Sequence, residues 1–221
     1  MARTDPSSTG SNGISAFLVD ATLDGIRVGD PPKMLGNEGS HACYVWFENC
    51  EVPADSIVGG QEGRGLKAAL RGINHARLHV AATCVGQAIR LITEMTEYAS
   101  KREQFGKRIG EFGQIAAMLA DSRAEMAAGR ALCLDCAKQF DAGDQIPFID
   151  IASAKLFCSE MVSRVADRAV QVMGGLGYME DLSDVPRLFR DVRLFRIFEG
   201  ASQVQQGNIA RSMMKDNESL S

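Results

Sequence analysis

The residue whose type and surroundings best suit chemistry is Glu199, a carboxylate close to the end of the chain. The residues before it, 194–198, are apolar except for Arg196, and Gly200 follows it. A carboxylate among apolar side chains loses the water contacts that favour its charged form, and this makes it a better general base. The other interpretation is a solvated glutamate near the start of the next helix, where the helix dipole favours an acidic side chain. The immediate context leaves both interpretations open.

The composition limits the kinds of protein in which such a base could work. The chain has 221 residues, of which 45% are hydrophobic and 24% charged, and its formal net charge is -4. This mild acidity, without a basic tail or stripe, argues against binding of nucleic acid through charge. No apolar run is long enough to span a membrane, and the first residues lack the hydrophobic segment of a secretory signal. We therefore expect a soluble intracellular protein that binds neither nucleic acid nor membranes.

The cysteines and histidines do not have the spacing of a metal site. Six cysteines are scattered through apolar stretches, and we expect them to be reduced thiols. Cys133 and Cys136 form a C-x-x-C pair, but they lie inside a helical pattern, with no second pair at zinc spacing. The three histidines form no cluster either. We therefore expect no metal.

The chain changes character near residue 60. Before it, residues 14–19 and 41–47 are short β-branched and aromatic runs bounded by turn residues, which predicts strands. Two or three strands are too few to bury an apolar face by themselves. We therefore expect residues 1–60 to be the remainder of a β domain whose other part lies outside this sequence.

Beyond residue 60 the apolar residues recur with the period of a helix. The pattern predicts helices over residues 66–100, 112–140, 147–173 and 202–214. The second helix carries a column of small residues, Ser122, Gly129 and Cys136, which would let another helix approach closely. We predict a mainly α fold, in which residues 61–221 form an antiparallel four-helix bundle preceded by a few strands of the incomplete β domain.

A basic linker between the first two helices contains residues that could bind a ligand. Arg102 offers a planar fork that suits phosphate oxygens, and Phe105 could lie against a planar ring. Gln104 lies between them. A surface loop with solvated charges would have the same composition, so this segment by itself does not decide between the two.

Two further segments lie at the ends of the later helices. The third helix runs from Gln171 into a glycine cluster that includes Gly174 and Gly175. Glycines there either cap the helix or let a ligand approach the backbone closely. In the next segment, Arg190 and Asp191 lie side by side, and we expect them to form a structural ion pair.

Taken in order, these segments resemble the acyl-CoA dehydrogenase family, flavoproteins that introduce a double bond between the α and β carbons of an acyl-CoA thioester. The resemblance covers the end of the family's middle β domain and its complete C-terminal helical domain. Its motifs, in chain order, are Arg102-x-x-Phe105-Gly106, Leu119-Ala120-Asp121, Ala154-Lys155, Gln171-x-x-Gly174-Gly175-x-Gly177-Tyr178, Arg190-Asp191 and Glu199-Gly200-x-Ser202-Gln203.

The resemblance implies a role for Glu199. It matches the family's catalytic base, which removes a proton from the acyl α carbon while hydride leaves the β carbon for N5 of the flavin. Some branches of the family place the base on the first long helix instead, at the position of Ala76 here, and alanine cannot serve. Asn74, Arg77 and Gly200 match positions at the acyl-CoA substrate.

The resemblance also implies FAD as the cofactor. Seven residues match the family's FAD site, in which the linker and the glycine turn reach the dinucleotide of a neighbouring subunit and the last residue lies beside the flavin: Arg102, Gln104, Phe105, Gln171, Gly174, Gly175 and Gln203. A shared site requires an oligomer, and the family implies a homotetramer. It further implies electron transfer flavoprotein as the electron acceptor, a role in fatty acid metabolism, and a location in the bacterial cytoplasm or the mitochondrial matrix.

Two departures from the family pattern matter. Ala201 stands where the family often has threonine, so a hydroxyl contact to the flavin is missing unless Ser202 replaces it. The family's N-terminal domain and most of its middle domain have no counterpart in this sequence, so we expect the chain to carry half a flavin site. The alternative is a non-catalytic helical oligomerisation module, or a fragment that does not bind flavin.

Overall fold

The structure is a computed structural model that describes residues 1–142 and 148–218. The chain divides into two compact units. The first comprises Met1–Met34 and Glu38–His75. The second comprises Leu35–Asn37 and the residues from Ala76 onward. The boundary predicted near residue 60 stays a prediction.

The first unit contains short antiparallel strand pairs. Strand β1 (Ala2–Arg3) pairs with β2 (Ile14–Ser15), and β3 (Ile26–Val28) pairs with β4 (Val45–Phe47). The predicted strands over 14–19 and 41–47 are therefore present but shorter. Each strand ends where its partner does, because a strand persists only as far as a neighbour supplies backbone hydrogen bonds. A short 3-10 helix, Ala54–Ser56, follows.

The helices follow the predicted order. Their bounds are α1 (Gly65–Lys101), α2 (Gly113–Asp141), α3 (Phe148–Met173), α4 (Val185–Val192) and α5 (Ser202–Glu218). Helix α1 begins in the first unit, and its residues from Ala76 belong to the second. The mainly helical prediction is confirmed. Position 147, where the third helix was predicted to begin, lies outside the described residues.

Helix α4 was not predicted, for a physical reason. It has only eight residues and a proline in its first turn. A helix of two turns is too short to show a clear 3.6-residue pattern, and tertiary packing rather than propensity stabilises it. Its inner face, which includes Val185, Leu188 and Val192, is buried in the core.

Helix α3 lies at the centre of the second unit. It packs against α2, α4 and α5, and it buries thirteen of its residues. The apolar core that forms around it also includes residues of α1, such as Leu91 and Met95, and Phe195 after α4. Two of the buried side chains of α3 are not apolar, Ser159 and Lys155, and both are completely buried.

The predicted close approach at the small residues of α2 is confirmed. Ser122, Gly129 and Cys136 are all buried. A Cβ atom added at Gly129 would lie 3.1 Å from Sγ of Cys158 and 3.3 Å from Cε of Met161, both on α3. Because that spacing leaves almost no room for a side chain, the small residues set how closely α2 and α3 pack.

Arg190 and Asp191 each have an ion-pair partner other than the expected one, and the pair between them stays a prediction. Arg190 contacts Glu180, and Asp191 contacts Arg187 one helical turn away. Neighbouring residues on a helix point in different directions, whereas residues four apart share a face. Asp191 also accepts a hydrogen bond from the backbone N–H of Asn37.

The described residues lack two kinds of feature. No helix there is both long enough and apolar enough to cross a membrane. In the same residues, no group of three or more His, Cys, Asp and Glu side chains could hold a metal ion.

Candidate active site

Glu199 lies on a strained turn between two helical segments. A 3-10 helix, Arg193–Arg196, ends before it, and α5 begins three residues after it. Glu199 has a φ of 52° and Gly200 a φ of 96°, both in the left-handed region. For a residue with a side chain, this conformation costs about 1–2 kcal/mol. Surrounding contacts must therefore hold the turn.

Four hydrogen bonds hold the backbone of this turn. Nε of Arg77 donates to the carbonyl oxygen of Glu199 at 3.0 Å, and Nζ of Lys155 donates to that of Gly200 at 2.8 Å. Nε2 of Gln205 donates to both oxygens, at 3.1 and 3.3 Å. The three donors come from α1, α3 and α5, so the turn is tied to three helices.

Gly200 is required by the packing of this turn. A Cβ atom at this position would lie 2.3 Å from Nε2 of Gln205 and 3.3 Å from Nη2 of Arg77. Nε2 of Gln205 donates to the turn, and Arg77 donates to it through the neighbouring Nε, so neither side chain can move away without releasing the turn. Gly200 therefore contributes space as well as the backbone conformation that glycine adopts readily.

Two buried cations lie near the Glu199 carboxylate. Arg77 is 6% exposed, and its guanidinium carbon lies 5.2 Å from the ring centre of Phe148. Burial lowers the pKa of Arg77, and the negative charge of Glu199 opposes that shift. Burial likewise lowers the pKa of Lys155, and the negative charge of Glu199 again opposes this shift. The half-buried Glu199 side chain therefore lies near two positively charged groups.

The alternative interpretation of Glu199 as a helix cap is not supported by its position. Helix α5 begins at Ser202, so Glu199 precedes the N-cap position by two residues. The Ser202 hydroxyl donates to Oε1 of Glu160 at 2.6 Å. The proton of that hydroxyl is therefore already used, and Ser202 is poorly placed to replace the threonine that Ala201 lacks.

A second cluster of predicted site residues lies in the linker after α1. Strand β5 (Glu103–Gln104) pairs with β6 (Lys107–Arg108) in a tight hairpin. At its tip, Phe105 has a φ of 54° and Gly106 a φ of 81°, as a two-residue type I′ turn requires. The Phe105 side chain is 91% exposed. The tip of the hairpin therefore exposes an aromatic ring to solvent.

This hairpin and the glycine turn after α3 border one open cavity of about 380 Å³. Five of the predicted cofactor residues line it: Arg102, Gln104, Phe105, Gly174 and Gly175. They come from segments about 70 residues apart in sequence, so tertiary packing brings them together. Nothing lies within 4 Å of a Cβ built at Gly174, which leaves its backbone open to a ligand.

The other predicted residues lie elsewhere. Gln171 is exposed at the end of α3, where Val172 and Met173 rather than Gln171 line the cavity. Gln203 is exposed in the first turn of α5, four positions after Glu199. Asn74 is half-buried on the part of α1 that belongs to the first unit. The roles of all these residues stay predictions.

Sequence reasoning missed two residues that hold the turn, Lys155 and Gln205. Lys155 was noted only as part of a family motif, although a lysine on the apolar face of a helix is itself a signal, because a buried ammonium group needs a partner. Gln205 lies one helical turn after Ala201 and carries no comparable signal. Its role depends on hydrogen bonds from the Gln205 side chain to the turn, and no spacing in the sequence predicts them.

Comparisons with known proteins agree with this geometry. The family model described as acyl-CoA dehydrogenase, C-terminal domain, matches residues 63–214. The chain is 37% identical over 216 residues to the probable acyl-CoA dehydrogenase FadE25 of Mycobacterium tuberculosis, covering 97% of this chain and 54% of that protein. It is 35% identical over 214 residues to the caffeyl-CoA reductase-Etf complex subunit CarC of Acetobacterium woodii, covering 97% of this chain and 55% of that protein.

The fold has close counterparts among solved structures. Butyryl-CoA dehydrogenase from Megasphaera elsdenii superimposes with a TM-score of 0.90 at 34% identity, over 96% of this chain and 55% of that chain. The chain thus spans about half the length of the relatives it matches. The range that the family model matches includes the segments that position Glu199 and line the hairpin cavity, and the chain belongs to the acyl-CoA dehydrogenase family.

Proposed function

We propose that the chain supplies the catalytic base and part of the cofactor site for FAD-dependent α,β-dehydrogenation of an acyl-CoA thioester. The observation that carries this proposal is the turn at Glu199. A carboxylate is held in a strained backbone conformation by donors from three helices. Strain of this kind persists where the surroundings over-determine it, and such sites are commonly functional.

In the proposed reaction, Glu199 takes the proton from the α carbon of the thioester. The electron pair of that C–H bond becomes the new double bond as hydride leaves the β carbon. Because the α proton of a thioester is only weakly acidic, a fixed base within hydrogen-bond reach is needed. Arg77, Lys155 and Gln205 hold the backbone of the base, and Gly200 gives it room.

The hairpin cavity fits part of the dinucleotide cofactor. The guanidinium group of Arg102 suits phosphate oxygens, and the exposed ring of Phe105 suits a planar base. The open backbone at Gly174 and Gly175 lets a bulky ligand approach. Bound FAD would supply the acceptor for the hydride.

The separation of the two clusters supports a site shared between copies of the chain. Arg77, beside the proposed base, and Lys101, just before the hairpin, both lie on α1. At a rise of about 1.5 Å per residue, they are roughly 36 Å apart along its axis. A dinucleotide with its flavin beside Glu199 is too short to fill the hairpin cavity of the same chain. A neighbouring copy would supply that cavity, in keeping with a homotetramer.

We further propose electron transfer flavoprotein as the electron acceptor. The support is a relative whose name places it in an Etf complex. The bacterial cytoplasm or the mitochondrial matrix, where acyl-CoA thioesters would meet such an acceptor, stays a prediction. An anaerobic assay in which the acyl-CoA-reduced protein passes electrons to purified electron transfer flavoprotein would test the acceptor directly.

The decisive test of the base is Glu199→Gln in the complete gene product. We expect the protein to bind FAD and to lose absorbance at the flavin band when mixed anaerobically with a series of straight-chain acyl-CoA thioesters. Because a general base contributes about 10²- to 10⁴-fold, Glu199→Gln should slow this bleaching by at least about 100-fold. Stopped-flow absorbance measures the rate.

The matched control is Glu97→Gln, which makes the same chemical change at an exposed position of α1. It should leave the bleaching rate unchanged. Full bleaching by the Glu199→Gln protein would reject the assignment of the base. A colourless protein that forms a stable oligomer but binds neither FAD nor acyl-CoA would instead support the non-catalytic assembly module.

A further inference from the structure

A buried ammonium group is hydrogen-bonded to the turn that carries the proposed base. Lys155 is on the central helix α3 and has 0% exposure. Its Nζ lies 2.8 Å from the carbonyl oxygen of Gly200, the residue after Glu199. Among the described residues, this is the hydrogen bond that the structure assigns to Nζ. Burying an ammonium group is costly, so its position calls for an explanation.

The groups that face Lys155 come from three parts of the second unit. Cys84 and Arg77 face it from α1, Glu160 from its own helix, and Glu199 from the turn. Burial is the largest influence and lowers the pKa of Lys155, and Arg77 acts in the same direction. Cys84 and the carboxylates of Glu160 and Glu199 oppose this. The cation is thus hydrogen-bonded to the turn's carbonyl and lies within electrostatic range of two carboxylates.

The hydrogen bond acts where the backbone is strained. The left-handed conformation at Glu199 is opposed by the ordinary preference of a residue with a side chain. Without Lys155, the donor that the described residues still offer the Gly200 oxygen is Nε2 of Gln205, at 3.3 Å. The turn could then relax towards ordinary backbone angles, and the carboxylate of Glu199, whose carbon is three bonds from the backbone, would move with it.

We propose that Lys155 is a positioning residue for the Glu199 base, fixing the turn through the Gly200 carbonyl without touching the substrate. This rests on the proposed function, since it concerns the same carboxylate. Gln205, which is also completely buried and bonds the same oxygen, assists it. The functional consequence is a specific loss of proton abstraction, with substrate binding retained.

The test is Lys155→Met in the complete gene product, because methionine has a similar length and packs well in a buried helix face. We expect the rate of flavin bleaching by acyl-CoA to fall by about 10- to 100-fold, as a displaced catalytic group would cause. The substrate concentration at half-maximal rate should change by less than about twofold, since the substrate contacts remain. Backbone amide exchange, measured by mass spectrometry, should speed up in residues 197–206 and not in α2.

The control and a second variant separate positioning from general stability. Lys138→Met, the same change at an exposed position of α2, should change none of these readouts. Gln205→Met should reproduce the pattern of Lys155→Met more weakly, and it carries the test if Lys155→Met does not fold. A folded Lys155→Met protein with the normal bleaching rate would overturn the proposal. So would exchange that rises equally throughout the bundle, because that would indicate loss of global stability.

The exchange measurement also distinguishes this inference from the proposed function. If Glu199→Gln bleaches normally, the proposed base is wrong. Local loosening of residues 197–206 in Lys155→Met would then still establish that Lys155 holds the turn, while its catalytic role would be rejected. If Glu199→Gln is inactive and Lys155→Met is both fully active and unchanged in exchange, the positioning role alone fails.

Discussion

At the scale of the residue, the site is a turn whose strain is balanced by buried donors. Glu199 is in a backbone conformation that glycine or asparagine usually adopts, and hydrogen bonds from Arg77 and Gln205 to its carbonyl oxygen keep it there. This leaves the carboxylate available for chemistry. It also makes the site sensitive to changes in residues that never meet a substrate.

Gly200→Ala should disrupt this turn. The added methyl group would overlap Nε2 of Gln205, and alanine would carry the strain of a φ of 96°. We expect a loss of roughly 2–4 kcal/mol in the free energy of unfolding, together with loss of flavin bleaching by acyl-CoA. Denaturant unfolding, followed by circular dichroism, measures the first effect.

Gly86→Ala provides the control for this substitution. Gly86 lies in α1 at an exposed position, and nothing lies within 4 Å of a Cβ built there. Because alanine favours a helix over glycine, this change should stabilise the protein by about 0.5–1 kcal/mol. Equal effects of the two substitutions would contradict the packing described at Gly200.

At the scale of the element, α2 and α3 are joined by charge as well as by close packing. Glu125 of α2 accepts hydrogen bonds from Arg164 and Arg168 of α3, each at 2.8 Å. Burial by itself would raise the pKa of Glu125, but the two arginines outweigh it and hold the pKa below its usual range. The folded state therefore favours the charged carboxylate more than the unfolded chain does.

This difference predicts a dependence of stability on pH. A carboxylate with a lowered pKa stabilises the fold above its unfolded value of about 4.3, and the stabilisation is lost as the pH falls through the folded value. Glu125→Gln should reduce stability by about 1 kcal/mol near neutral pH, because the arginines are partly exposed. The thermal midpoints of mutant and natural protein should converge below about pH 4.

The exposed Glu97 supplies the comparison here, since Glu97→Gln should shift the midpoint little at either pH. A difference between Glu125→Gln and the natural protein that stays constant from neutral to acid conditions would show that the arginines do not act through the charge of Glu125. Differential scanning calorimetry near neutral pH and below about pH 4 gives the thermal midpoints.

At the scale of the whole molecule, the two site clusters lie far apart along the same helix. Arg77 is buried against the turn of the proposed base, and the hairpin that carries Arg102 and Phe105 follows the last residue of α1. The proposed base and the proposed dinucleotide cavity of one chain are therefore separated. Each proposed active site combines the base of one copy with the hairpin of another.

A complementation experiment tests this arrangement. Glu199→Gln and Arg102→Ala chains, carrying different affinity tags, are co-expressed and the mixed oligomer is purified on both tags. In a shared site, the intact base of one chain meets the intact hairpin of the other, so some sites regain both groups. We expect acyl-CoA-dependent flavin bleaching in the mixed oligomer at a rate near that of the natural protein, with a reduced amplitude.

The parent proteins are the controls, since each should lack either fast bleaching or tight FAD binding. If base and hairpin of the same chain form one site, every chain of the mixture carries a defect. A mixed oligomer that is as inactive as both parents would therefore contradict the shared site.

Some elements of this protein could be predicted from local patterns alone. The long helices follow from a 3.6-residue repeat, and the close approach of α2 and α3 follows from Ser122, Gly129 and Cys136 on one face. The hairpin tip at Phe105 and Gly106 was recognised as a linker, but its two-stranded form was not, because its strands are only two residues long. Short elements such as this one and α4 depend on packing and carry little signal.

The sequence by itself determined the helices, the small-residue packing face and the chemical type of the base, because each of these depends on residue type and spacing within one segment. Only the tertiary structure decided that Lys155 and Arg77 meet the turn of Glu199. Lys155 lies 45 residues before Gly200 in the chain, and Arg77 lies 122 residues before Glu199. It likewise brought the hairpin and the glycine turn to one cavity. Contacts at such separations arise from how the helices pack, and packing depends on all of them at once.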